Sequence, residues 1–494
     1  MTGLGSPDPS LVEAADRALR AALGGRPLVS VERFACSGRT AYAGSHPVPS
    51  ARPALAIACY AGWEAASPEA SLAEEASTRV RGPAERHAWL NVVDSAAREL
   101  MSTLSTPPVI ATWYSTSRLR EWTGPRGTIA AVDGGLRRQL EDKADFDDLL
   151  RAAGVPARLR IRSIRVTGRL PALAELRRKL GTNRLVVQCG AESGGRGTVF
   201  VDTDTDLAQA AQMLGPYKVA AFIPGWSSNT TALSIPDGSG GVAVYVDRPS
   251  HKAVGVGEAG IGSGKSAGND WSRPWPEQAA ADLIAAAVQV GVWAWRTHRY
   301  AGLFGLDAIL TAEGSVKLNE INCRKQGTTE VSGVNQQLRG LPPFVTAHLT
   351  ALLGGQVDWL PPAEEFNADT VTTATQTQPG PFYLKLRNRG TEPVTVTNLN
   401  GPGIYRLVEG SLIWTKPGAH PAQADADRGE LLLANLPTAD VRCLPGAELG
   451  TAEAITAGAC RPFDGPHSLS AFGRAVLDAV GRRLHSVPAP TLER

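Results

Sequence analysis

The chain has 494 residues, of which 43% are hydrophobic and 20% are charged. This balance is close to that of folded globular proteins, so it excludes a disordered or fibrous chain. The length exceeds what one hydrophobic core supports and favours about three domains. Fifty basic residues against 48 acidic ones leave a net charge of +2, which gives no electrostatic footprint for nucleic acid. We therefore expect small molecules or a protein as partners.

Location and redox chemistry are indicated by what the sequence lacks. The first twenty residues carry Asp8, Glu13 and Asp16 and do not show the basic-then-apolar order of a secretory signal. The longest apolar stretches, 53–63 and 283–295, are too short or too polar to span a bilayer. Six cysteines without a CxxC pair indicate neither a zinc site nor a disulfide framework. We expect a cytoplasmic protein with no membrane or nucleic-acid partner.

Residues 1–140 have the pattern of a mixed α/β domain. Apolar stretches at 54–60 and 108–114 predict strands, and a helical pattern runs from about 85 to 105. A turn at Gly134 and Gly135 opens another helical stretch, and we interpret it as a tight turn. We recognise no catalytic or ligand-binding motif in the sequence of these residues.

The sequence pattern of residues 141–360 predicts an α+β module. Helical spacing predicts a helix at 145–153, ended by Gly154 and Pro156, and Pro276 begins a second helix. Between the two helices, β patterns predict short strands at 184–188, 198–201, 219–223, 230–235 and 242–246.

The sequence pattern of residues 361–494 predicts a β-rich C-terminal domain that ends in a helix. Its strands are expected at 382–386, 394–398, 403–408 and 412–415, and its helix at about 469–484. The fold class is therefore a multidomain α/β and α+β protein, divided at about 140 and 360.

The most informative stretch is a hairpin that carries Asp307, Glu320 and Asn322. If its loop pairs Leu310 with Ser315, Asp307 lies opposite Leu318, and the period of two places Glu320 and Asn322 on the same face. Two carboxylates and one amide oxygen suit a hard cation such as Mg²⁺, which takes phosphate oxygens as further ligands. A cation of this kind implies a nucleotide.

This hairpin resembles the metal-binding end of the ATP-grasp superfamily, of the carboxylate–amine or carboxylate–thiol ligase type. The resemblance rests on Asp307, Glu320-Ile321-Asn322 and Arg324 and covers about 140–350. It implies an ATP-grasp fold, preceded by an N-terminal α/β domain and followed by the β-rich C-terminal domain. It also implies that Asp307, Glu320 and Asn322 hold Mg²⁺ against ATP, and that Arg324 faces the acyl phosphate or the substrate carboxylate.

A second stretch resembles the strand and flexible glycine loop of the same superfamily. Gln188 ends the strand, and the loop residues expected over the phosphates are Ser193, Gly194, Gly195, Arg196, Gly197 and Thr198. Glycines let such a loop fold over phosphates and open again for product release. Many members carry a lysine where Gln188 falls, so Arg196 or Lys265 is the candidate for the positive charge.

A third stretch, 220–225, resembles the segment that links the two lobes and clamps adenine. Backbone groups at Ala221, Phe222 and Ile223 are expected to contact the adenine edge, and the apolar side chains to cover its face. The acidic residue that usually precedes this linker is absent.

The function implied by the resemblance is an ATP-dependent carboxylate–amine ligase that makes an amide bond through an acyl phosphate. Its substrates would be small carboxylates and amines, such as amino acids in a biosynthetic pathway. Two alternatives stay open at this point: transfer of an amino acid to a carrier-protein thiol, and a regulatory ATP-binding protein without turnover, which Gln188 motivates. A homodimer is also left open.

Overall fold

The structure is a computed structural model that describes residues 8–34, 41, 47–60, 78–79, 93–190, 195, 197–439, 441–458 and 460–487. None of the helices in these ranges is both long and apolar enough to cross a bilayer.

The N-terminal unit is built on a parallel sheet flanked by helices. Its strands are β1 (Leu28–Phe34), β2 (Leu55–Tyr60), β4 (Val109–Tyr114) and β5 (Thr128–Val132), and its helices are α1 (Pro9–Leu23), α2 (Asp94–Ser102), α3 (Ser117–Thr123) and α4 (Gly134–Leu140). The short strand β3 (Thr78–Arg79) lies outside this sheet and pairs with residues 442–443. Strands β2, β1, β4 and β5 lie side by side in this order and run parallel. Both faces of such a sheet are covered, so its strands read as nearly continuous apolar runs, as the sequence showed.

The second unit, called here the small sheet, is antiparallel. Helix α5 (Phe146–Ala152) leads into it, and its elements are β6 (Ser163–Val166), α6 (Leu173–Leu180), β7 (Leu185–Cys189), β8 (Thr198–Val201), α7 (Asp204–Ala210) and β9 (Tyr217–Ala221). The strand order is β6, β9, β7, β8. Leu173, Leu176 and Leu180 on one stripe of α6 pack against Leu185 and Val187 of β7, which gives the small sheet a core of its own.

The third unit, called here the large sheet, has eleven antiparallel strands. It begins with β10 (Trp226–Pro236), β11 (Val242–Val246), β12 (Ser250–Val254), β13 (Ser266–Asp270), α8 (Glu277–His298), β14 (Gly302–Leu310) and β15 (Val316–Asn322), followed by α9 (Thr329–Leu338), α10 (Phe344–Leu352) and α11 (Ala363–Thr375). Helix α8 starts after Pro276 as predicted, and its buried residues Leu283, Ala287 and Val290 cover the strands that hold Phe304.

The C-terminal part continues the same sheet. Its elements are β16 (Gly380–Arg387), β17 (Val394–Thr395), β18 (Gly403–Val408), β19 (Ser411–Lys416), β20 (Glu430–Ala434), β21 (Arg442–Cys443), β22 (Glu448–Thr456), β23 (Phe463–Gly465), β24 (Ser468–Leu469), α12 (Ala471–Gly481) and β25 (His485–Ser486). The large sheet runs β15, β14, β10, β12, β13, β16, β22, β20, β18, β19, with β11 beside β10. It therefore crosses residue 360 without a break. A parallel N-terminal sheet followed by antiparallel sheets confirms the predicted fold class.

Candidate active site

The site begins at the hairpin of β14 and β15, where Asp307 lies directly opposite Glu320. Here the predicted register was wrong. Leu310 pairs with Val316 rather than with Ser315, so that Ala308 rather than Asp307 faces Leu318. A bulge next to Asp307 then shifts the register by one further residue and places Glu320 opposite Asp307. A bulge re-aims the side chains beside it. As a result the two carboxylates face each other, while Ala308 and Leu318 belong to the apolar core.

Each carboxylate has a lysine beside it. Lys252 on β12 donates a hydrogen bond to Asp307 Oδ2, and Asn229 Nδ2 donates to Asp307 Oδ1 at 2.5 Å. Lys143 Nζ lies 3.4 Å from Glu320 Oε2. Burial, together with the charge of Glu320, raises the pKa of Asp307 above its usual value although Lys252 lowers it. The positive charges of the two lysines thus offset the repulsion between the facing carboxylates.

Glu320 stays ionised because cations surround it. Burial alone would raise its pKa, but Lys143, Lys252 and Lys218 lower the pKa to about 2. Lys218 on β9 is buried, and its Nζ donates to the carbonyl oxygen of Asn319 at 2.7 Å. Burial lowers the pKa of Lys218 to about 8, with Glu320 acting in the opposite direction.

Gln188, the position where a lysine was expected, lies on β7 directly opposite Lys218 on β9. Its Nε2 donates to Thr198 Oγ1 at 3.3 Å across the hairpin of β7 and β8. The neutral amide is therefore flanked by the cationic Lys218. Sequence reasoning proposed Arg196 or Lys265 for the missing charge and did not select Lys143, Lys218 or Lys252.

The glycine loop connects the two strands of this hairpin. Ser193, Gly194 and Arg196 lie outside the described residues. Gly197 accepts a backbone hydrogen bond from Cys189 at 2.9 Å, which closes the hairpin. Gly195 has φ +74°, and a Cβ there would lie 2.3 Å from the carbonyl oxygen of Gly264. Only glycine fits this contact between the loop and the Gly264 turn.

An apolar wall lies next to the loop. Its predicted members Ala221, Phe222 and Ile223 are joined by Ile161, Val186, Phe200 and Ile309. The Phe222 ring meets Phe200 edge to face at 5.9 Å between ring centroids, and the Arg184 guanidinium lies 4.1 Å from its centroid. The backbone N–H of Phe222 donates to the Arg184 carbonyl at 3.0 Å. These contacts fix the wall before any ligand enters.

The parts described above line one cavity of about 300 Å³ between the small and large sheets. Of the predicted site residues, those on its walls are Gln188, Gly195, Thr198, Ala221, Phe222, Ile223, Asp307 and Glu320. The large sheet adds Lys252, and its C-terminal part adds Lys385, Arg387 and Glu448. The lining thus combines apolar side chains with charged side chains of both signs.

Asn322 and Arg324 lie together beside this cavity. Arg324 Nη2 donates to Asn322 Oδ1 at 2.9 Å, and its Nε lies 3.1 Å from Glu141 Oε1. The guanidinium faces the Trp113 ring at 5.5 Å. The structure therefore pairs the amide oxygen of Asn322 with Arg324, while Asp307 and Glu320 face the cavity.

A buried network of hydrogen bonds holds Asn229, which in turn donates to Asp307. Asn229 Nδ2 donates to Gln326 Oε1 at 3.1 Å, and Thr328 Oγ1 donates to Asn229 Oδ1 at 2.9 Å. Lys325 Nζ donates to Glu32 Oε1 at 3.2 Å and ties this segment to strand β1. Sequence reasoning did not select Asn229, which lies in an ordinary-looking strand about 80 residues before Asp307.

The donor set fits a small hard cation. Among the described residues, no group of three or more His, Cys, Asp or Glu side chains is placed to hold a metal without help. Two facing carboxylates in a cavity match Mg²⁺, which takes few protein ligands and uses phosphate oxygens and water for the rest.

No family model matches the chain, and no curated protein does. Solved structures do match. Biotin carboxylase from Campylobacter jejuni, in its beta-gamma-ATP complex, aligns over 87% of both chains with a TM-score of 0.53 at 13% identity. The chain has the ATP-grasp fold.

Two further ATP-grasp structures align over most of the chain with lower scores. N5-carboxyaminoimidazole synthase from Aspergillus clavatus, with ADP and 5-aminoimidazole ribonucleotide, covers 88% of this chain and 95% of its own at 14% identity and a TM-score of 0.48. L-amino acid ligase from Bacillus licheniformis covers 94% and 98% at 12% identity and 0.46. The assignment of the ATP-grasp fold rests on the biotin carboxylase match, and it confirms the predicted fold.

Proposed function

We propose that the protein is an ATP-dependent ligase that activates a carboxylate as an acyl phosphate and joins it to an amine. The single observation that supports this most strongly is the cavity itself, in which an apolar wall, a glycine loop and the Asp307–Glu320 pair with its lysines meet. An apolar slot next to a cation-rich, metal-competent end matches the two ends of a nucleoside triphosphate. An ATP-grasp fold around this cavity is consistent with the proposal.

Asp307 and Glu320 are the residues that would hold Mg²⁺. When bound, the cation offsets the charge that develops on the phosphoryl oxygens. Lys143 and Lys252 are already beside these carboxylates and supply positive charge next to the same oxygens. Because the site is largely buried, these charges act at short range with little screening by solvent.

The reaction has two steps. An oxygen of the substrate carboxylate bonds to the γ-phosphorus, the bond to the β-phosphate oxygen breaks, and ADP leaves. The amine nitrogen then attacks the acyl carbon, the C–N bond forms, phosphate leaves and the nitrogen loses a proton. We assign Arg324 to the acyl oxygen in this step, since Glu141 and Asn322 already orient its guanidinium.

Lys143 and Lys218 bear on the alternative of an ATP-binding protein without turnover. That alternative was motivated by the neutral Gln188. The structure has two lysines within the same site, one beside Glu320 and one opposite Gln188. The positive charge that Gln188 lacks is thus available from neighbouring elements, which favours an enzyme.

ADP and phosphate release with Mg-ATP, pooled amino acids and simple amines tests the proposal. We expect release that depends on an acid, and a fall of at least about 100-fold in Glu320→Gln, the magnitude typical of lost electrostatic stabilisation. Glu313→Gln, an exposed residue in the turn of the same hairpin, is the matched control and should keep the wild-type rate.

Two outcomes would contradict the proposal. The first is tight binding of Mg-ATP with no release under any pool, which would support the non-catalytic alternative. The second is acid-dependent release that is equally fast in Glu320→Gln.

A further inference from the structure

Strand β16 belongs to the C-terminal part of the chain, yet it is a strand of the large sheet. It lies two strands away from β12, which carries Lys252 of the proposed site. It pairs with β13 on one side and with β22 on the other. Gly268 on β13 approaches it so closely that a Cβ there would lie 2.0 Å from the Tyr383 carbonyl oxygen. Only glycine fits at this contact, and the strand pairing holds β16 beside β13.

Side chains alternate along β16. Leu384 and Leu386 enter the apolar core, whereas Tyr383, Lys385 and Arg387 face the other side. The Tyr383 hydroxyl donates to Asn269 Oδ1 at 2.8 Å, and this places the face of Lys385 on the side of the site. Two strand spacings of about 4.8 Å separate β16 from β12, so Lys385 and Arg387 extend the cationic lining well beyond Lys252.

Arg387 is held in place by its neighbours. Its Nη1 donates to the Gly446 carbonyl at 2.8 Å, and its Nη2 lies 3.7 Å from Glu448 Oε2. Lys265 lines the same cavity, and its Cγ lies 3.3 Å from the position of a Cβ on Gly195 of the glycine loop. Lys265, Lys385 and Arg387, called here the cationic corner, thus line the cavity together with the glycine loop.

Among the described residues that line the cavity, cationic side chains outnumber carboxylates. The two sets are Lys143, Lys252, Lys265, Lys385 and Arg387 against Asp307, Glu320 and Glu448. Like charges gathered in a poorly solvated cavity raise each other's energy, and an anion relieves that cost.

We propose that Lys385 and Arg387, contributed by the C-terminal part, bind an anionic phosphate or carboxylate group of a ligand in this cavity. The ligand is either ATP, through its phosphates, or the acid substrate, through an anionic group other than the carboxylate that is activated. The inference rests on the same cavity as the proposed function, but it concerns binding and is measured without turnover.

Calorimetry on the full chain tests the inference with Lys385→Ala and Arg387→Ala. Adenosine, AMP and ATP are titrated first, and inorganic phosphate is then titrated into the Mg-ADP complex. Lys416→Ala, an exposed lysine on β19, is the matched control. Lys385→Arg should restore binding if charge is what matters, and thermal unfolding verifies that each variant is folded.

Two results would support the inference, each naming a different source of the anion. Loss of about tenfold in ATP affinity with unchanged adenosine affinity assigns the corner to the nucleotide phosphates. Unchanged ATP affinity with a similar loss of phosphate binding to the Mg-ADP complex assigns it to the acid substrate.

Wild-type affinity of both variants for ATP and for phosphate would overturn the inference, as would a wild-type protein that binds neither probe. A protein that binds ATP but makes no product would contradict the proposed function alone and leave these titrations readable.

Discussion

Lys252 on β12 donates a hydrogen bond to Asp307 on β14, across the intervening strand β10. Both side chains are largely buried, with 18% and 7% of their surfaces exposed. A buried ion pair of this kind is costly to break because removing one partner leaves the other charge in a poorly solvated place.

We predict that Asp307→Asn and Lys252→Met each destabilise the protein by about 3 kcal/mol, whereas the double variant loses less than the sum. Urea unfolding of the four proteins measures this coupling. Exposed pairs contribute little, so Arg17→Ala and Glu13→Ala on α1 serve as the control cycle. Additive effects at Lys252 and Asp307 would contradict the ion pair.

Phe222 provides a test of the apolar wall. We predict that Phe222→Ala weakens ATP, ADP and AMP binding by a similar factor of about ten, because all three share the adenine base that the ring would cover. Fluorescence titration with each nucleotide measures it. Phe222→Leu should retain part of the affinity, and a loss confined to ATP would place the ring near the phosphates instead.

Gly225 marks the junction between the small sheet and β10. Its φ is +151°, and a Cβ would lie 2.2 Å from the Leu310 carbonyl oxygen. We predict that Gly225→Ala destabilises the protein by more than about 2 kcal/mol, because the first pair of β10 with β14 must open. Thermal unfolding measures it. Gly238→Ala, in an exposed turn with open space, should cost less, and an equal cost would contradict the crowding argument.

Asp247 predicts a pH dependence of stability. Burial raises the pKa of this carboxyl to about 7, against the effect of Arg339. The unfolded chain releases this proton near pH 3.9, so between about 4 and 7 the folded state holds more protons and stability falls as pH rises. Gln336 Nε2 donates to Asp247 Oδ2 at 2.6 Å, a bond that an amide oxygen also accepts.

We therefore predict that the stability of Asp247→Asn relative to the wild type increases as the pH is raised from 5 to 8. Urea unfolding at these two pH values measures the difference. The exposed Asp464→Asn is the control and should show no such change. Equal stability differences at both pH values would mean that Asp247 ionises normally.

The sequence predicted the elements of the site better than its geometry. Helix α8 after Pro276, the hairpin of Asp307 and Glu320, and the strand before the glycine loop all follow from periodicity, glycine and proline. The bulge beside Asp307 was not predicted, although the spacing of the apolar residues in β15 changes there from two to three, between Leu318 and Ile321. Its effect on the site is large, since it places Glu320 rather than Asn319 opposite Asp307.

The cationic side of the site was missed for a different reason. Lys143, Lys218, Lys252 and Lys385 lie in separate elements, and each is surrounded by ordinary residues. Lys143, Lys252 and Lys385 line one cavity, and Lys218 donates to the nearby Asn319 carbonyl, because the small sheet packs against the large sheet. A sequence shows spacing within an element, whereas this group depends on contacts between elements that are distant in the chain, such as β13 and β16.

The unbroken large sheet also determines where the molecule can be divided. A chain that ended near 360 would leave the backbone N–H and C=O groups of β13 without their partners on β16, and such an edge invites pairing with other chains. The small sheet is different, because it is entered and left through the short links 157–162 and 222–225. Exchange of segments between related proteins should therefore succeed at these links and produce aggregates at 360.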